Sequence, residues 1–148
     1  MDFIILISLI AIGYFGGTWA EKRHYNSIEQ REKTYLYLPA ITVKNVNLDG
    51  AKIQQAKLVY GSVVISIDYF KRILAGLRNI FGGTIKSYET LVDRARREAL
   101  LRMKEMAPDS AMIVNVRIET STIGKNAHKK GVGCLEAIAY GTALFIEK

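Results

Sequence analysis

The residues best suited to metal chemistry are one cysteine and two histidines, Cys134, His24 and His128, in a chain of 148 residues. They lie far apart, and no C-x-x-C or H-x-x-x-H spacing occurs, so one chain offers no typical tetrahedral set of ligands. A symmetric oligomer could repeat Cys134 around its axis, and a ring of thiolates favours soft metals. The opposing interpretation is that Cys134 is a small buried residue at the start of a strand.

No set of residues suggests catalysis. Three carboxylates could act as ligands or bases, although capping and surface positions explain them more simply: Asp68, Glu89 and Glu136. The serines and threonines have no evident general base, and no pair of acids recurs at a catalytic spacing. The sequence therefore predicts a protein that is not an enzyme.

The loop from Gly124 to Gly133, GKNAHKKGVG, is a second candidate binding site. Its cations Lys125, Lys129 and Lys130 lie between glycines, where they could bind a phosphate or a lipid headgroup. The loop lacks the G-x-x-x-x-G-K-[ST] spacing of a phosphate loop. A hairpin tip with solvated lysines explains the same residues, so both interpretations stay open.

Length, charge and cysteine content limit the classes of protein to which the chain can belong. The formal net charge is +7 and is spread along the chain, which favours a solvated surface over a nucleic-acid or anionic-lipid partner. A single cysteine excludes an intramolecular disulfide. The length is sufficient for one domain of about 110 residues with an appendage.

The predicted appendage is residues 1–20. From Phe3 to Ala20 the chain is uncharged, and as a helix it would rise about 27 Å, enough for a hydrocarbon core. Asp2 precedes this run and basic residues follow it, unlike a signal peptide. We therefore predict a retained transmembrane anchor in the cytoplasmic (inner) membrane. Because lysine and arginine are kept on the cytoplasmic side, the domain is predicted to face the cytoplasm.

Three residues of the anchor are candidate contact sites. Gly13 and Gly17 have a spacing that lets helices approach closely, and Trp19 lies where aromatic rings favour the membrane interface. Predicted partners are the bilayer, further copies of the chain and another membrane protein. The charged segment 21–34 is predicted to prolong the helix as a stalk, with a disordered linker as the alternative. His24 lies in this segment, where a basic flank facing headgroups is expected.

The rest of the chain is organised around residues 61–100. A β-branched run at 63–67 predicts a buried strand. Apolar residues at helical spacing then predict a helix over 68–81, which two glycines end. A second helix is predicted from near Ser87 until Pro108 prevents continuation. Its apolar stripe, whose alanines indicate close approach to a sheet, is Tyr88, Leu91, Val92, Ala95, Ala99, Met103 and Met106.

Further strands are predicted on both sides of this block. Residues 35–46 alternate, and Pro39 implies an edge or a break. Strict alternation over 112–120 predicts a strand with one side facing a core and a more polar side opposite. Ile113 falls on the more polar side. The final strand, 134–147, is apolar on both faces and needs cover on both. Self-association would provide that cover.

Several of these segments resemble the YbjQ-like family of bacterial proteins, whose domain is labelled heavy-metal-binding. They are the block from Gly61 with its glycine pair, SYE at 87–89, the following RREAL, AMIVNVRIETSTIG and the final YGTALFIE. The likeness spans roughly 35–147. It implies an α+β domain over 35–148, with two main helices on a mostly antiparallel sheet, here preceded by the transmembrane helix. It also implies a pentameric ring and a possible heavy-metal cofactor.

These observations lead to one main hypothesis and an alternative. The main hypothesis is a membrane-anchored, ring-forming homo-oligomeric scaffold or interaction module without catalysis. The alternative is a module that binds a soft heavy metal or a small anion at subunit interfaces. A channel lined by the anchors is disfavoured, because the apolar run contains no polar stripe.

Overall fold

The computed structural model describes residues 2–46, 50–66, 86–123 and 134–147. Its elements are α1 (Asp2–Thr34), β1 (Ile53–Ser66), α2 (Lys86–Glu105), β2 (Met112–Ile123) and β3 (Cys134–Ile146). The strands form an antiparallel sheet in the order β1-β3-β2. This confirms the predicted α+β class with two helices and an antiparallel sheet. The predicted helix 68–81 and the loop 124–133 lie outside the described residues.

Helix α2 packs on the sheet through small residues. A Cβ at Gly61 of β1 would lie 2.5 Å from Met103 N and closer still to the carbonyl oxygen of Ala99. Only glycine fits so close an approach of strand and helix. Ala95 and Ala99 are fully buried, which confirms the predicted close packing of this helix against a sheet.

The end of α2 differs from its prediction. The helix ends at Glu105, and the chain turns before Pro108. Met106, which the periodicity placed on the apolar stripe, therefore lies beyond the helix and is exposed. Its sulfur instead accepts a hydrogen bond from Tyr60 N at 3.4 Å.

Residues 63–66 of the predicted strand are part of the longer β1, and they are buried on one face only. Val63 is buried and Val64 is exposed, so the prediction of a fully buried strand is wrong. A β-branched run without charges indicates a strand but does not show how many faces are covered.

Residues 35–46 do not form a regular strand. They begin with a turn and then follow the edge of β2, with one parallel bridge between Ala40 and Ile113. The carbonyl of Pro39 accepts a hydrogen bond from Ile113 N at 2.9 Å. Because proline has no N–H to donate, this segment pairs with the sheet only in part.

A bulge in β2 overturns the predicted alternation. Pairing with β3 shifts between Val114 and Arg117, and Asn115 has a φ of 53°. Asparagine adopts this left-handed conformation more readily than a β-branched residue does. The extra residue turns Ile113 into the core, where it is fully buried, although strict alternation placed it on the more polar side.

The two faces of the sheet differ. The face toward α2 carries the buried β3 side chains Leu135, Ala137, Ala139 and Ala143. The opposite face exposes four large apolar side chains, which we call the open sheet face: Leu58, Tyr60, Val64 and Ile138.

Helix α1 is one continuous helix of 33 residues. The charged segment 21–34 is therefore helical, as the stalk interpretation requires, whereas its role as a stalk from a membrane stays a prediction. Of the helices in the described part of the chain, none has the length and apolarity needed to cross a membrane. The structure thus does not support the predicted transmembrane anchor.

Candidate functional site

The second half of α1 lies against α2 and runs in the same direction. Tyr25 donates a hydrogen bond to the Thr90 carbonyl at 2.8 Å, and Lys104 donates to the Tyr35 carbonyl at 3.1 Å. The residues of α1 on this side recur at helical spacing: Glu21, His24, Tyr25, Ile28, Arg31 and Glu32. We call the contact between these residues and α2 the helix clasp.

A buried carboxylate lies at the centre of the clasp. Glu98 of α2 is 3% exposed, and its Oε2 accepts a hydrogen bond from Arg31 Nη2 of α1. Its Oε1 accepts from Arg102 Nε at 2.8 Å, and Arg102 also donates to the Ser62 carbonyl of β1 at 2.8 Å. The carboxylate therefore links α1, α2 and the sheet through two guanidinium groups.

His24 approaches the same carboxylate, with Nε2 3.7 Å from Glu98 Oε2. Burial lowers the pKa of His24, and the attraction of Glu98 opposes this effect. The nearby Arg94, Arg31 and Arg102 lower it further. His24 is therefore neutral near pH 7, and its contact with Glu98 is a charge pair only after protonation.

The electrostatics of Glu98 contain opposing effects. Burial raises its pKa, but the hydrogen bonds and charges of Arg31 and Arg102 outweigh burial and hold the pKa below its ordinary value. Glu98 is thus ionised at neutral pH. A buried charge of this kind is tolerated only when it is paired and hydrogen-bonded.

Further ion pairs extend the clasp along both helices. Arg97 binds Glu32 through two parallel hydrogen bonds, and its hydrogen bond lowers the pKa of Glu32. Arg31 Nη1 lies 3.2 Å from Glu105 Oε1, and Arg94 Nη1 lies 3.9 Å from Glu21 Oε1. Such charge-assisted bonds set the register of two helices more than they add stability, because most of these side chains are partly solvated.

Two hydrogen-bond donors of the clasp have no acceptor among the described residues. The Nε atoms of Arg31 and Arg94 are buried without a hydrogen-bond partner in the structure. Unpaired buried donors cost free energy, on the order of 1–3 kcal/mol each for fully desolvated groups. The docking of α1 on α2 is therefore a balance of strong pairs and unmet donors.

The structure separates the residues that the sequence singled out. Cys134 is half-buried at the first position of β3, where Ser66 and Ile123 are its cross-strand neighbours. Glu136 is half-buried two residues further on. Outside the described side chains lie Asp68, Glu89, Lys125, His128, Lys129 and Lys130. His24, which we expected to face headgroups, faces Glu98 instead.

Sequence reasoning did not identify the clasp. The sequence feature that comes nearest to indicating the clasp is a group of charged residues, Arg94, Arg97 and Glu98. They lie within one helical turn of the buried Ala95. A charged stripe beside an apolar one is usually a solvated surface. A second charged helix, here residues 21–34, was needed to recognise an interface.

Comparison with known proteins decides the family. Residues 40–147 match the YbjQ family model, which carries the description "Putative heavy-metal-binding". The chain belongs to the YbjQ family. A UPF0145 protein of Hahella chejuensis is 39% identical over 97 residues, covering 64% of this chain and 86% of that protein. A UPF0145 protein of Listeria monocytogenes serotype 4a is 34% identical over 110 residues, covering 72% and 96%.

A solved structure is also similar to this YbjQ-family chain. It is the crystal structure of a protein of unknown function from Pediococcus pentosaceus, placed in the DUF74 family. The two share 18% identity with a TM-score of 0.49, and the match covers 74% of this chain and 98% of that one.

The described residues do not fit the heavy metal that the YbjQ family description implies. They contain no group of three or more histidine, cysteine, aspartate or glutamate side chains able to hold a metal ion. Soft metals require several sulfur or imidazole ligands together. Within one chain, the described surroundings of Cys134 supply none.

Proposed function

We propose that this YbjQ-family chain is a self-associating interaction module without catalytic activity, attached to a bilayer through the first half of α1. The observation that carries the proposal is the exposure of apolar side chains along that half, ahead of the clasp. Ile12 is 69% and Phe15 70% exposed.

The exposed apolar surface of α1 is extensive. The large hydrophobic residues that expose it are Ile4, Ile5, Leu9, Ile10, Ile12, Tyr14, Phe15 and Trp19. Contiguous apolar surface of this extent on a protein marks an interaction with another protein or a membrane. The aromatic Trp19 at the end of the run favours a membrane, because its ring is suited to the headgroup boundary.

The clasp fixes where this surface lies. Because α1 is continuous from Asp2 to Thr34 and its second half is held on α2, its first half has a set direction relative to the sheet. The basic residues that follow Trp19 support the cytoplasmic side of the membrane as the location of the domain, since lysine and arginine are retained there.

The open sheet face supports self-association. Tyr60 lies opposite Tyr140 and Ser62 opposite Ile138, so the apolar side chains of β1 and β3 form one patch. We propose that a second copy of the chain covers this patch and that repeated contacts close a ring, because identical subunits assemble with closed symmetry.

Flotation with phosphatidylcholine vesicles tests attachment. We expect the full chain to float and the double variant Ile12→Glu, Phe15→Glu to stay at the bottom of the gradient, because glutamate strongly disfavours entry into hydrocarbon. The matched control is Leu36→Glu, Val43→Glu, which places the same two charges at exposed apolar positions beyond the helix. Flotation of the double variant with the parent would contradict the proposal.

Native mass spectrometry in detergent tests self-association. We expect oligomers of the full chain and a shift toward monomer for Val64→Lys, which places a charge in the open sheet face. Gln55→Lys adds the same charge to an exposed position of β1 outside that face and should assemble as the parent does. If the Val64→Lys variant still forms oligomers, the open sheet face is not part of the interface.

The family description favours one alternative, capture of a soft metal by Cys134 residues that symmetry brings together. Metal content after equilibration with Cd²⁺ tests it. Capture predicts metal in the oligomer that is lost in Cys134→Ser, with assembly kept. Equal metal content in both proteins would exclude Cys134 as a ligand.

A further inference from the structure

The second half of α1 has an outward side as well as the clasp. The residues of this side recur at the spacing of one helical face and together line an open depression of ≈ 500 Å³: Trp19, Lys22, Arg23, Asn26, Ser27 and Gln30. We call these residues the outward stripe. All of them are exposed, whereas the clasp residues on the other side are held by α2.

The cations of the outward stripe differ from those of the clasp. Arg31, Arg94 and Arg97 each have an acidic partner across the two helices. In the part of the chain that the structure describes, Lys22 and Arg23 make no ion pair. The guanidinium of Arg23 instead lies 5.5 Å from the centre of the Trp19 ring. The stripe therefore presents two positive charges that no described acid neutralises.

The position of these charges along the helix suggests their ligand. They follow directly after the exposed apolar run that ends at Trp19. A ligand of these two cations is anionic, and it lies next to the exposed apolar side chains of α1. Asn26, Ser27 and Gln30 add neutral hydrogen-bonding groups further along the same face, suited to the polar atoms of a headgroup.

We propose that the outward stripe binds the phosphate headgroups of anionic phospholipids. This inference rests on the proposed attachment of α1 to a bilayer and deepens it by naming the lipid class. Trp19 lies at the headgroup boundary and holds the Arg23 side chain by a cation–π contact. Lys22 and Arg23 then pair with lipid phosphates, each worth about a fivefold gain in affinity.

The test uses the full chain and two kinds of vesicle, phosphatidylcholine alone and phosphatidylcholine mixed with phosphatidylglycerol. The chain has a single tryptophan, so a blue shift of its emission reports entry of Trp19 into the interface. The variant is Lys22→Gln, Arg23→Gln. The matched control is Lys57→Gln, Arg96→Gln, which removes the same charge from exposed positions on β1 and α2.

We expect the parent and the control to bind the anionic vesicles more tightly than the neutral ones. The Lys22→Gln, Arg23→Gln variant should lose about 25-fold of this preference, fivefold for each cation. Added salt should reduce the preference of the parent, because exposed charges are screened.

Three results would overturn the inference in distinguishable ways. Equal binding of the parent to both vesicles would remove the lipid preference but keep the attachment. If the variant and the control lose the preference for anionic vesicles equally, the preference comes from the net charge of the protein and not from the outward stripe. Failure of the parent to bind either vesicle, without a tryptophan shift, would overturn the attachment and this inference together.

Discussion

Arg97 of α2 and Glu32 of α1 form a two-bond fork, with Nε 2.8 Å from Oε1 and Nη2 2.6 Å from Oε2. The two residues are 65 positions apart in sequence. Because the fork is planar and bidentate, it fixes the rotation of α1 about its axis as well as its register. That rotation turns the outward stripe away from the domain.

The clasp should depend on Glu98. In Glu98→Gln, Arg31 and Arg102 lose the charge that compensates them, so we expect a loss of about 2 kcal/mol in the free energy of unfolding. Urea denaturation of the full chain measures it. The control is Glu105→Gln, whose side chain is 34% exposed and should cost less than about 1 kcal/mol. Equal losses in both variants would show that burial of Glu98 has no energetic role.

The docking of α1 should weaken in acid because of His24. Burial and three arginines lower its pKa in the folded state from the ordinary value of 6.5, so the undocked chain binds the proton more readily. Its contribution to stability is then complete above about pH 6.5 and decreases as the pH falls below that value. Amide-exchange protection factors over residues 21–34 should decline first.

A His24→Gln variant separates this effect from the acids of the clasp. Glu98 and Glu32 have lowered pKa values, so their contributions persist until the pH falls below the ordinary range of glutamate. We expect the variant to keep level protection factors from about pH 7 to 5. A decline as steep as that of the parent would assign the acid sensitivity to groups other than His24.

Gly61 should tolerate no side chain. In Gly61→Ala, the added Cβ meets the backbone of α2 at Ala99 and Met103, and we expect a loss of about 3 kcal/mol or more as helix and strand separate. Gly13→Ala is the control, since its Cβ position has no neighbour within 4 Å apart from the adjoining backbone of its own helix. Thermal unfolding of both variants compares them. An unchanged melting temperature for Gly61→Ala would contradict the close packing.

Asn115 should be replaceable by glycine but not by valine. Its φ of 53° costs a β-branched residue about 1–2 kcal/mol, whereas glycine adopts it without strain. We expect Asn115→Val to lower the melting temperature of the protein and Asn115→Gly to leave it nearly unchanged. Equal melting temperatures would mean that the bulge can shift to another residue of β2.

Local patterns explain what could be predicted. The stripe that contains Ala95 and Ala99 recurs at the period of a helix, and its small side chains indicated the approach to a strand, which Gly61 completes. The charged segment 21–34 lacks proline and glycine and is helical. Family membership followed from ordered motifs over the domain. The helical patterns depend on residues that are near neighbours in the chain, and the family follows from the order of such local motifs along the domain.

The clasp and the bulge depended on the tertiary structure. Glu98 carries the same charge as any solvated glutamate, and only the docking of α1 surrounds it with Arg31, which is 67 positions away. Likewise, the sequence of β2 is compatible with a regular strand and with a strand that contains a bulge. The pairing with β3 places the bulge at Asn115. The sequence by itself determined that 21–34 and the segment beginning near Ser87 are helical, that 112–120 and the final segment are strands, and to which family the chain belongs. Only the tertiary structure decided which charges are buried, because burial and pairing arise between segments that the chain order keeps apart.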